Sequence, residues 1–233
     1  MGPPLGVVMH HELMSESGAE AWAELTGLIR SSSVDNQVRP PRSDSQTAEN
    51  LSLSDRSYLG ALASNTSGVL VDSGWLRLLG GSFGDQLPGL DEANADARGL
   101  LVVAFDVLGG VFALDGGALG TGDGAVHHFS VNTLRWENLE LTHSAFVSAM
   151  LRGATTDFYG SLRWPGWEAE VQSLRPREGV SAYPFPFTAE GKDVAAASRR
   201  AVPFVELIGL HNDMVRQLDG QPGSLIPLPV WST

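Results

Sequence analysis

Apolar positions change their period twice along this 233-residue chain. Over residues 17–31, Trp22, Leu25 and Ile29 recur at helical spacing with Ala21 and Leu28 beside them, and Ser15 or Ser17 stands at the cap position, so a first helix is predicted. Residues 31–48 are polar and carry Pro40 and Pro41, which reads as a long exposed connection. Leu51 and Leu53 alternate with serines, as in a short edge strand. Residues 57–64 predict a short helix turned inward at Leu59 and Leu62, and Gly68 stops it.

From there the period falls to two. Residues 69–71 and 75–79 read as strands around the turn Asp72-Ser73-Gly74, and residues 80–99 read as loop with a helical turn near Asp91. Residues 99–151 organise the chain. Apolar runs at 100–105, 111–114, 126–130 and 134–137 are separated by turn residues, which suits an antiparallel meander better than βαβ units. Thr142 then caps a helix that buries Ala145, Phe146, Ala149 and Met150.

The remainder is helical in character. Phe158, Tyr159 and Leu162 mark one helix, and Trp167, Val171 and Leu174 form the stripe of another that starts at Pro165. Residues 203–218 carry Phe204, Leu207, Ile208, His211, Met214, Val215 and Leu218 on one face. Pro184 and Pro186 exclude a central strand around Tyr183. Strands in the middle and helices at both ends predict an α+β fold: a central antiparallel, meander-like sheet flanked by N-terminal and C-terminal helices. One domain is expected over 1–233. Its parts are a helix and first strands at 13–98, the meander and its helix at 99–151, C-terminal helices at 152–218, and a Pro/Gly-rich tail at 219–233.

Composition narrows the partners. With 27 acidic against 15 basic residues the formal charge is -12, which repels phosphate backbones and anionic lipid and favours a basic partner. Nucleic acid is therefore not an expected partner. The chain has no Cys, which removes thiol chemistry and Cys-ligated zinc and fits a reducing, cytoplasmic setting. The apolar stretch after Met1 is too short for a signal-peptide core, no run reaches a membrane span, and Gly6 stands where a myristoylation signal carries Ser or Thr.

Candidate chemistry is sparse. Gly80-Gly81-Ser82-Phe83-Gly84 matches the G-x-S-x-G elbow, so Ser82 is a nucleophile candidate, but Asp85, Pro88 and Gly89 follow where the elbow needs a helix start. The glycines between Gly116 and Gly124 lack the Lys-Ser/Thr or helix of a phosphate cradle, and no cofactor signature is present. Asp106, Asp115 and Asp123 make the 106–124 region a candidate ligand or cation site, although Asp before Gly is also the residue of a turn. His127 and His128 would point to opposite faces of a strand, one buried and one exposed, and His211 reads as a core histidine. Trp164 and Trp167 are either core filling or surface anchors for a partner.

The run from Asp106 to Gly120, followed by Val126-His127-His128-Phe129-Ser130 and Leu134-Arg135-Trp136-Glu137, resembles an uncharacterised bacterial family, domain of unknown function 2625. Residues 68–77, 158–168, 183–185 and 198–203 carry the same resemblance, which covers about 22–218. The order of strands and turns also resembles, more distantly, the SUKH superfamily of cell-wall-assembly regulators and toxin-immunity proteins. That likeness implies a bent antiparallel sheet flanked by helices and a role in binding another protein. The expectation is a non-enzymatic, cytoplasmic binding domain for a basic protein such as a toxin, with Asp106, Asp115, Asp123, Trp164 and Trp167 as contact residues. A Ser82 hydrolase and a small-ligand or metal binder are the alternatives.

Overall fold

Among the described residues, seven strands that follow one another in chain order make the central sheet, each antiparallel to the next. The computed structural model describes residues 19–41, 45–81, 87–95, 99–218 and 225–226. The strands are β1 (Asn36–Arg39), β2 (Gly68–Val71), β3 (Leu76–Leu79), β4 (Leu100–Asp106), β5 (Val111–Asp115), β6 (Val126–Ser130) and β7 (Arg135–Asn138). Helix α1 covers residues 19–30, followed by α2 (Thr47–Asn50), α3 (Tyr58–Asn65), α4 (Leu90–Ala93), α5 (His143–Ala149), α6 (Thr155–Phe158), α7 (Trp167–Gln172) and α8 (Phe204–Leu218). A separate hairpin pairs β8 (Glu178–Tyr183) with β9 (Ser198–Pro203). The α+β meander expected from the pattern is present.

The apolar runs are nearly continuous in β3 to β6 because both faces of the sheet are covered. Leu70, Arg77, Phe105, Val111, Phe129 and Trp136 lie opposite one another across successive strands and share one face. There Phe105 meets Phe204 of α8, ring centroids 4.8 Å apart. Leu78, Ala104, Phe112 and His128 share the other face, where Phe112 meets Phe146 of α5 at 4.8 Å. A bulge between Val102 and Ala104 re-phases β4.

Local signals hold where caps are explicit. Ser57 accepts from the Gly60 N–H at the start of α3, and Thr142 accepts from the Ala145 N–H at the start of α5. The helix after Thr142 buries Phe146, Val147, Met150 and Leu151, whereas Ala145 is exposed and Ala149 half-buried; it widens over Met150–Ala154 and breaks at Gly153, whose φ is 96°.

Three expectations are corrected. The polar connection contains a strand: β1 is held by its ladder with β2, although Gln37 and Val38 are exposed and give no apolar alternation. Leu51 and Leu53 form no edge strand; Leu51 ends α2, and the Leu53 N–H returns to Ala48 O at 2.8 Å. The C-terminal third is not purely helical, since β8 and β9 pair across the proline-containing segment between them. Among the described residues, no helix is long and apolar enough to cross a membrane.

Candidate functional site

The β4–β5 turn concentrates the buried titratable groups. Asp106 ends β4 and folds back over its own turn, its Oδ1 accepting from the Leu108 and Gly110 N–H groups at 2.9 Å each. Gly109, with φ 90°, adopts the left-handed backbone that the turn requires. His128 Nε2 lies 3.8 Å from Asp106 Oδ2 and stacks on Phe112, centroids 4.5 Å apart. His211 of α8 packs beside Gly109, and Tyr159 stands on the Asp106 side of the sheet. Asp106, His128, Tyr159 and His211 are 1%, 6%, 0% and 5% exposed, so the group is sealed from solvent. Burial, and after it the Asp106 charge, pushes the Tyr159 hydroxyl well above its ordinary value. A sealed phenol of this kind is a poor acid at neutral pH.

Burial takes His211 from 6.5 down to about 4, against the opposing pull of Asp106, and the half-buried His143 is lowered to about 4 by burial as well. A histidine neutral in the folded chain and protonated in the unfolded chain contributes stability that is complete above pH 6.5. That contribution is lost as the pH falls towards 4. Between pH 8 and pH 5 the His211 shift corresponds to about 2 kcal/mol of unfolding free energy. His211→Met is expected to reduce the acid slope by about that amount in urea titrations at the two pH values, and an unchanged slope would place the titrating group elsewhere.

The opposite end of β5 is arranged differently. Asp115 is buried and accepts from the Gly117, Leu119, Thr121 and Gly122 N–H groups and from Thr121 Oγ1. Burial pushes its carboxyl up, but the Thr121 hydroxyl and the surrounding N–H donors outweigh that and hold it well below the usual carboxylate range. Asp123 and His127 bring ligand-type atoms within 4.8 Å of Asp115. Asp106 does not join them. It sits at the turn while Asp115 pairs with Leu100, so the two lie at opposite ends of a ladder roughly 20 Å long. The three aspartates therefore do not converge on one ion, and the donors around Asp115 already do what a cation would do. His127 and His128 point to opposite faces as expected, but both are buried, because both faces of β6 are covered.

Trp164 and Trp167 are interior rather than surface residues, 2% and 8% exposed. Their rings meet Trp75 at 5.4 and 5.1 Å, and Tyr159 meets it at 5.6 Å. The Arg163 guanidinium lies 4.3 Å from the Trp167 ring centroid and pairs with Asp72, which also accepts from Thr155 Oγ1 at 2.6 Å. On the outer side, Arg199 covers Trp164 at 4.6 Å, and Trp164 Nε1 donates to Glu170 at 2.7 Å. This ionic and aromatic knot joins the C-terminal third to the β2–β3 turn. Of the proposed contact residues, only Asp123 is exposed. Ser82 lies outside the described residues, as do His10, His11 and Trp231.

Two residues of consequence are not evident from motifs. Arg163 gives no sign in the sequence beyond its place among aromatics. Arg77, the one charge inside the apolar run 75–79, is 4% exposed, and a lone charge in an apolar strand is the signal that marks it.

A sequential antiparallel meander with helices on both faces and one buried cluster of titratable groups defines an α+β protein. The chain belongs to the family described as "Protein of unknown function DUF2625", whose model matches residues 11–207. It is 31% identical over 200 residues to "Putative uncharacterized protein YbfG" of Escherichia coli K12, covering 83% of this chain and 91% of that protein. It is 34% identical over 177 residues to an "Uncharacterized protein" of Haemophilus influenzae Rd, covering 70% and 76%. No solved structure matches.

Proposed function

We propose that this chain is a non-enzymatic protein-binding domain of the toxin-immunity kind, which occludes a basic protein such as a nuclease toxin by an acidic edge of its sheet. The observation that carries the reading is the outer strand β7. Among the described residues it pairs only with β6, and exposed carboxylates gather on and around it. Glu137 lies on the strand, Glu140 follows it, and Asp123 accepts from Asn138 Nδ2 at 3.0 Å. Arg135 is the basic exception. Such an edge, in a chain of net charge -12, attracts a cationic nucleic-acid-binding surface and presents it with unpaired strand backbone. Burial of Asp106, His128, Tyr159 and His211 favours binding over catalysis, because substrate has no path to them.

The test is a partner recovered with the native chain and then studied pure. A basic protein is expected whose association rate falls at least about 10-fold between low and high salt and falls similarly with Glu137→Lys/Glu140→Lys. Expressed alone it should arrest bacterial growth, and co-expression of this chain should restore it. Association indifferent to both salt and the charge reversal would sink the proposal.

A further inference from the structure

The far edge of the sheet carries an electrostatic feature of opposite sign. A cavity of about 440 Å³ opens between the β1–β3 face and the α7–β8 connection, within the range typical of small-ligand sites. Its floor follows from strand register: Gln37, Leu70 and Arg77 lie side by side, and Arg39 is two residues along β1 on the same face. Val171 and Leu174 supply an apolar wall opposite.

Arg77 is the anomaly. It is 4% exposed, and its Nη1 donates to the carbonyls of Pro176 and Glu178 at 2.7 and 2.6 Å. Its Nε has no partner, and no carboxylate pairs with it among the described residues. A buried ion costs several kcal/mol unless a counter-charge and hydrogen bonds compensate it, and two carbonyl dipoles are partial compensation. Burial lowers Arg77 to about 10, against the pull of Asp106 and Glu178, which leaves it protonated at neutral pH. The nearby Arg39 charge lowers it further and likewise makes no ion pair among the described residues. A chain with 27 acidic residues has thus left two arginines on one cavity without a paired carboxylate.

The rest of the lining does not offset this charge. Asp35, exposed, is the one carboxylate among the described lining residues, against two guanidinium groups. Guanidinium groups without a paired carboxylate, surplus positive charge and an apolar wall describe a particular ligand chemistry. We propose that this cavity binds a small organic oxyanion, a carboxylate or phosphate ester bearing an apolar group, with Arg77 and Arg39 holding the anion and Leu70, Val171 and Leu174 packing the apolar part. A planar guanidinium suits either head group through paired N–H bonds.

The site lies on the β1 edge and the proposed protein-binding edge is β7, so each can fail without the other. The experiment is calorimetric titration of the whole chain with phenyl phosphate, benzoate and the neutral benzyl alcohol, with amide chemical shifts as a second readout. Saturable binding at millimolar or lower concentration is expected for at least one anion, with shifts at Gln37, Arg39 and Gly74, and the tighter of the two anions identifies the head group. Benzyl alcohol should not bind. Arg39→Gln, on an edge strand and half-buried, should keep the fold and weaken anion binding at least about 10-fold. Absence of saturable anion binding, equal binding of benzyl alcohol, or full affinity in Arg39→Gln would each overturn the proposal.

Discussion

Arg163→Ala is expected to lower the unfolding free energy by about 3–5 kcal/mol, the scale for removing one partner of a buried ion pair. Asp72, 7% exposed, accepts from Arg163 and from Thr155 Oγ1, and among the described residues no other side chain donates to it. Without the guanidinium its charge keeps only a hydroxyl. Three ring contacts go as well, since Arg163 lies 4.3 Å from the Trp167 centroid, 5.4 Å from that of Trp75 and 6.0 Å from that of Tyr159. The double variant Asp72→Asn/Arg163→Met should recover a substantial part of the loss, because it removes the buried charge together with its partner. Urea unfolding at pH 7 separates these outcomes. A loss below about 1 kcal/mol in Arg163→Ala would mean that water replaces the guanidinium and that the pair behaves as a surface bridge.

Gly110→Ala is the second large effect, expected at about 3–4 kcal/mol or as failure to accumulate folded protein. A Cβ at this position would overlap Asp106 Oδ2 and lie 3.0 Å from His128 Nε2. Asp106 cannot yield cheaply, since its Oδ1 is held by two N–H groups of the same turn. Val107 also ties that turn to Trp75 O and, through its own carbonyl, to the Val180 N–H of β8. Displacing the carboxylate therefore strains the sheet and the C-terminal hairpin together. Gly209→Ala in α8 is the contrast, with nothing within 4 Å of a new Cβ, and should stabilise by about 0.5–1 kcal/mol. Thermal denaturation of the two variants side by side checks both signs. A Gly110→Ala protein as stable as the parent would show that the turn can be redrawn around Asp106.

Much of the fold was legible because its signals are local. The runs at 100–105, 111–114 and 126–130 announce strands without reference to anything else, and Ser57 and Thr142 cap their helices through neighbours three residues away. The strands β1, β8 and β9 were not legible, because their residues are polar or half-exposed and their identity comes from a distant ladder partner. The candidate sites divide in the same way. Asp115 and Asp123 are close in sequence and the structure brings them together, whereas Asp106 is equally close in sequence and is carried away by the length of β4 and β5.

Composition and periodicity by themselves determined an α+β meander, a strongly acidic chain without thiols, and a core histidine at His211. Those properties depend on residue type and short spacing. Only the tertiary structure decided that Trp164 and Trp167 are a buried knot rather than surface anchors, that both His127 and His128 are enclosed, and that Arg77 and Arg39 face one cavity. Burial and charge pairing are properties of what lies across the fold. A guanidinium at position 163 meets a carboxylate at position 72 over a separation of 91 residues, which no periodicity in the chain encodes.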